Sequence, residues 1–171
     1  MKEIVIKNIK LKDWKSLNLE IEFNKKKTHI SGRCGIGKSS IMHAWYWLWT
    51  GYANPYTKKN SNLYDDRMEV TPHTPPAIVE TSFTLDGIEF TLARKAKPVF
   101  SKDKGSDTYV KKPSDKYTIL LDGIEISATE FAEWVSENIC PADLLPYCLD
   151  GSFFSTLCEN DKDKARNVLM S

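Results

Sequence analysis

Gly32-Arg33-Cys34-Gly35-Ile36-Gly37-Lys38-Ser39 fits the spacing G-x-x-x-x-G-K-[ST], which builds an anion cradle out of backbone. Glycine at 32, 35 and 37 permits turns that a side chain would block, so successive N–H groups can face one phosphate. Arg33, Cys34, Ile36 and Ser40 add their backbone to the same cradle. The Lys38 ammonium is long enough to meet β- and γ-phosphates, and the Ser39 hydroxyl is placed to ligate Mg²⁺. The stretch predicts nucleotide binding.

Its flanks agree. Thr28-His29-Ile30-Ser31 is short and partly β-branched, and predicts a strand entering the loop. Ser40 to Thr50 lacks Gly and Pro, and predicts a helix that Gly51 stops. Ile41, Trp45, Leu48 and Trp49 share one apolar stripe, and Trp47 makes a second face apolar, so the helix should be buried. The positive end of its dipole would then point at the phosphates.

The 171 residues suffice for one domain with a core, and 41% apolar with 27% charged residues is ordinary globular composition. A net charge of +1 supplies no global pull toward nucleic acid or membrane, so any basic surface is local. No apolar run reaches the ~18 residues of a membrane-spanning helix, and the first residues lack the pattern of a signal peptide. Cys34, Cys140, Cys148 and Cys158 show no Cys-x-x-Cys spacing, which argues against zinc and for reduced thiols in a cytoplasmic setting. Cys34 lies inside the loop, where N–H dipoles would favour its thiolate; a tolerated loop position is the simpler reading.

The chain reads as one lobe, with strands, loop and first helix over 1–51, a long loop over 52–76, two hairpins over 77–126 and a helical segment over 127–171. Glu3 to Leu11 suggests a first strand. Leu17, Leu19, Ile21 and Phe23 alternate with polar residues as a half-buried strand. Lys25, Lys26 and Lys27 read as a solvated turn. In the long loop, Tyr52, Tyr56, Lys58, Lys59, Tyr64 and Arg67 are of the types that stack on bases and hold phosphates. Asp86-Gly87 and Asp122-Gly123 each sit between alternating runs, a strong hairpin signal. Between the hairpins, residues 94–116 carry eight Lys or Arg against three Asp and read as a flexible basic loop, solvated or touching a nucleic-acid backbone. Ser127-Ala128-Thr129-Glu130 has capping-box spacing, with helical periodicity from Phe131 to Ile139 and a stop at Pro141.

Trp14-Lys15-Ser16 (aromatic, basic, Ser), the phosphate loop, and a Trp-rich helix ending Thr50-Gly51 together resemble the N-terminal lobe of an ABC-type, SMC-like ATPase head. This is an AAA-family P-loop ATPase class that includes double-strand-break repair ATPases, exonuclease-subunit ATPases and RecF-like proteins. Asp150-Gly151-Ser152-Phe153, Leu157 and Arg166 before Val168-Leu169 resemble the end of that lobe, where a coiled coil begins. The resemblance covers nearly the whole chain. It implies an α/β, more strictly α+β, mixed-sheet lobe with added antiparallel hairpins that binds ATP and Mg²⁺. The implied partners are a second lobe or head, DNA and a nuclease subunit. Lys15 matches the basic position near the nucleotide in these proteins.

Two features depart from the family pattern. No apolar strand ending in Asp-Glu and no Ser-Gly-Gly signature is present, so the residues that would complete hydrolysis are missing. The family's Mg²⁺-binding Gln is also missing, because the chain contains no Gln; Asp150 stands near that place and a carboxylate can ligate Mg²⁺. Three readings stay open. The chain is a piece of a longer ATPase, or a natural half-head that regulates another ATPase or nuclease complex. The third is a small P-loop kinase, which would need Arg94 and Lys95 as a lid and which the early Asp-Gly hairpins fit poorly.

Overall fold

Strict alternation between Ala77 and Leu85 organises the molecule: Ala77, Val79, Thr81, Phe83 and Leu85 are all buried, and the residues between them face outward. The computed structural model describes residues 3–24, 27–53, 63–64, 69–102, 109–141 and 144–149. In chain order its elements are β1 (Ile4–Ile6), β2 (Asn8–Trp14), β3 (Leu17–Glu22), α1 (Lys38–Thr50), β4 (Ala77–Leu85), β5 (Ile88–Lys97), β6 (Phe100–Lys102) and β7 (Tyr109–Lys111). They continue with β8 (Lys116–Leu121), β9 (Ile124–Ile126), α2 (Ala128–Asn138) and α3 (Leu145–Leu149).

Seven strands form one sheet in the order β3-β2-β4-β5-β8-β9, with β1 also on β4; β6 and β7 make a separate two-stranded ribbon. The pairings among the described strands are antiparallel. The expected first strand is split at Lys7, because the Asn8 side chain accepts the Ser82 N–H (2.9 Å) while the Lys7 N–H donates to the Ser82 carbonyl (2.8 Å).

Both hairpins form as expected. Asp86 and Asp122 have φ of 50°, and Gly87 and Gly123 have φ of 82° and 78°, two left-handed residues in a row that match the twist of the flanking strands. The β3 side chains alternate between half-buried and exposed, also as expected.

One face of the sheet carries the helices. Trp49 of α1 packs on Phe83 and Phe131, with ring centroids 5.5 and 6.4 Å apart. Trp134 of α2 lies 6.3 Å from Phe83 and 5.6 Å from Phe90. Fully burying a side chain such as Phe83 contributes about 1.5–3 kcal/mol, so this aromatic layer is a large share of the core. The capping box forms in full: the Ser127 hydroxyl accepts the Glu130 N–H (3.2 Å), and the Ser127 N–H donates to the Glu130 carboxylate (2.7 Å).

Three expectations need correction. Thr28 to Ser31 is exposed and irregular, because a strand needs a hydrogen-bonding neighbour and none is paired with it among the described residues. The basic stretch 94–116 is not all loop: Arg94 to Lys97 extend β5, and β6 with β7 form a ribbon. Tyr64 is not free to stack on a base, since its hydroxyl donates to the Ala96 carbonyl (3.1 Å) and Lys111 Nζ lies 5.8 Å over its ring. Burial and then Asp115 push its phenol well above the usual range. Tyr52 is exposed, whereas Tyr56, Lys58, Lys59 and Arg67 lie outside the described residues.

Candidate nucleotide site

α1 begins at Lys38 on a left-handed Gly37 (φ 100°), with no side-chain cap and no acidic residue in its first turn. Its leading N–H groups are therefore left for an anion. Gly37 has a second reason to lack a side chain: a Cβ there would stand 3.1 Å from Leu17 Cδ1, so the β2–β3 turn packs directly on the loop. Gly35 is also left-handed (φ 83°) and opens to empty space. At Gly32 a Cβ would meet Ile36 Cδ1 at 2.9 Å. Lys38 Nζ donates to the carbonyls of Gly32 (2.8 Å) and Arg33 (2.6 Å), which places the ammonium across the mouth of the loop. Arg33, Cys34, Ile36 and Ser39 are exposed and Ser40 is half-buried.

The β2–β3 turn brings Lys15 to this helix. Left-handed φ at Asp13, Lys15 and Ser16 makes the turn tight, and the Asn18 side chain accepts the Asp13 N–H (3.0 Å). Trp14, fully buried, anchors the turn: its Nε1–H donates to the Ser40 carbonyl (2.9 Å) and its ring lies 5.0 Å from that of Trp47. On α1, burial first and the Lys15 charge second lower the pKa of His43, one turn beyond Ser39. Lys38, Ser39 and the three glycines thus stand at one helix end, with the turn that carries Lys15 packed against it through Trp14 and Leu17, whereas Asp150 lies outside the described residues.

The far end of α1 holds a residue that sequence reasoning misplaced. Arg94, read as part of a basic loop, is 7% exposed, and burial pulls its pKa down to about 10. Its Nε–H donates to the Leu48 carbonyl (3.0 Å), and its guanidinium lies 5.8 Å from the Trp47 ring and 5.7 Å from the Phe131 ring. The alternation Phe90, Leu92, Arg94, Ala96, in phase with β4, was the signal that it faces inward.

The apolar stripe is only partly as expected. Leu48 and Trp49 of that stripe are buried, together with Ala44, Tyr46 and Trp47, whereas Ile41 and Trp45 are only partly buried and Met42 is 44% exposed. They join Ile6, Ile9, Phe23, Ile30 and Lys38 around an open apolar cavity of about 370 Å³ beside the loop.

The model of the AAA domain family matches residues 3–164. The chain belongs to that family. This AAA-domain chain is also 28% identical over 142 residues to the DNA double-strand break repair Rad50 ATPase of Archaeoglobus fulgidus, covering 81% of the chain and 13% of the relative. An SMC head, solved in complex with the C-terminal winged-helix domain of ScpA, matches with a TM-score of 0.59 at 21% identity, over 81% of this chain and 42% of that one. The fold is therefore that of an SMC head lobe, and the resemblance to SMC- and Rad50-like ATPase heads holds. The chain spans under half the length of either protein.

Proposed function

We propose that this chain is the MgATP-binding lobe of an SMC-like ATPase that acts in DNA repair, recombination or DNA processing, and that it hydrolyses ATP poorly unless a second lobe completes it. The observation carrying this reading is the loop itself, with left-handed glycines at an uncapped helix start, Lys38 across its mouth and the Lys15 turn packed against it. These residues fit a triphosphate. Backbone N–H groups from Gly32 to Ser40 would hold the phosphate oxygens, Lys38 would neutralise charge, and Lys15 would lie beside the nucleotide. Ser39, with Asp150 in place of the missing Gln, would hold Mg²⁺, which would supply positive charge against the phosphates.

The open apolar cavity beside Lys38 supports a second lobe or head as partner, because it leaves the apolar side chains of Ile30 and Met42 exposed next to the loop. The exposed β6–β7 ribbon, with Lys102 and Tyr109, is of the composition that contacts a DNA backbone. A nuclease subunit as further partner, and a cytoplasmic location, follow the same reading. Among the described residues no helix is long and apolar enough to cross a membrane. A kinase would need Arg94 as a mobile lid, and its burial argues against that role.

Titrating the chain with ATP and a slowly hydrolysed analogue, with and without Mg²⁺, tests the reading. Mg²⁺-dependent binding with negligible phosphate release is the expected result. Lys38→Ala should weaken binding at least about tenfold, since a charge-assisted bond is worth about 1.5–3 kcal/mol, without unfolding the lobe. Unchanged binding by that variant would remove the phosphate-loop assignment. Rapid turnover by wild type alone would remove the claim of incompleteness.

A further inference from the structure

We propose that Arg94 is a positioning residue that couples the phosphate-loop end of α1 to β5 and α2 through the helix's opposite end. The inference rests on the nucleotide reading of the loop and assigns a role to a residue outside it. α1 is 13 residues long, and Leu48 lies nine residues beyond Ser39, about 14 Å along the axis at ~1.5 Å per residue. At the loop end the helix has no side-chain cap, and Trp14 holds it through the Ser40 carbonyl.

At the other end three successive carbonyls accept bonds that close the last turn. The Thr50 hydroxyl donates to Tyr46 (2.8 Å), the Gly51 N–H to Trp47 (2.8 Å), and Arg94 Nε–H to Leu48 (3.0 Å). Only the last of these bonds crosses from the helix to the sheet. Gly51 makes room for it: a Cβ there would stand 3.0 Å from Arg94 Nη1, and its φ of 80° also favours glycine. The guanidinium is thus held between Gly51, the Trp47 ring of α1 and the Phe131 ring of α2, with a direction-sensitive bond to the helix. A cation at this end also opposes the negative pole of the helix.

A short rigid helix gripped at both ends cannot shift or rotate when phosphates fill one end without altering the grip at the other. Arg94 is where such a shift meets β5 and α2. Conversely, a load on α2 would reach the loop by the same route.

Hydrogen exchange of the wild-type chain, with and without the slowly hydrolysed ATP analogue and Mg²⁺, is the first test. Nucleotide should slow exchange at residues 35–39 and also at 48–51. Arg94→Lys keeps the cation but loses the Nε–H fork and the flat stack. That variant should keep the protection at 35–39, lose the response at 48–51, and bind nucleotide roughly five- to tenfold more weakly. Protection at 35–39 with no response at 48–51 in wild type would overturn the coupling and leave the nucleotide reading intact. A folded Arg94→Lys with wild-type affinity and response would do the same. No protection at 35–39 would take down the nucleotide reading, and the coupling with it.

Discussion

His43 sits one helical turn beyond Ser39, half-buried and within reach of the Lys15 charge. Both features disfavour its imidazolium, so its folded pKa lies below the ordinary 6.5. The unfolded chain therefore binds the proton more readily. This contribution to stability is fully present above pH 6.5 and is lost as pH falls through the folded pKa. Chemical denaturation between pH 8 and 5 should show stability falling below about 6.5. His43→Gln should flatten that part of the profile, and an equally steep slope in the variant would assign it to other groups. Trp14 shows a different use of a single residue: its indole N–H and its ring bind the same turn to the same helix, so a polar and an apolar contact position Lys15 together.

At the level of elements, α2 is the piece whose start was legible residue by residue. A capping box needs two side chains three residues apart and no tertiary partner, so the sequence spacing sufficed. Ser127→Ala should cost about 1 kcal/mol, measured by thermal or denaturant unfolding, and Glu130→Ala should shift stability in the same direction. The Ser127 N–H and hydroxyl hold the Glu130 carboxyl below its usual range, so its share is present above about pH 4.5 and is lost on acidification. No change in stability with Ser127→Ala would show that α2 is held by the packing of Phe131, Trp134 and Val135 rather than by its cap. The hairpins were legible for the same local reason, since Asp-Gly supplies two left-handed residues without outside help. The stretch Thr28 to Ser31 was not, because strand formation depends on a neighbour that local composition does not report.

Across the whole molecule, the sheet covers one side of α1 and leaves Ile41, Met42 and Trp45 beside Ile30 and Phe23 around an open cavity. An apolar face of this kind should bind a hydrophobic dye such as ANS. Met42→Glu should cut that binding severalfold while changing stability by less than about 0.5 kcal/mol, because Met42 is already 44% exposed. Dye binding unaffected by Met42→Glu, in a folded variant, would place the apolar surface elsewhere. Eight contiguous residues carried the phosphate loop, and their chemistry is backbone shape, one ammonium and one hydroxyl, all encoded within a single turn of chain. That is why the sequence by itself determined the candidate site, its two hairpins and the cap of α2. Tertiary structure alone decided which face of α1 is covered, that Lys15 lies near His43, and that Arg94 is buried under Gly51. Each of those depends on groups 28 to 46 positions apart being brought together by strand register, and burial is a property of that assembly rather than of any one stretch.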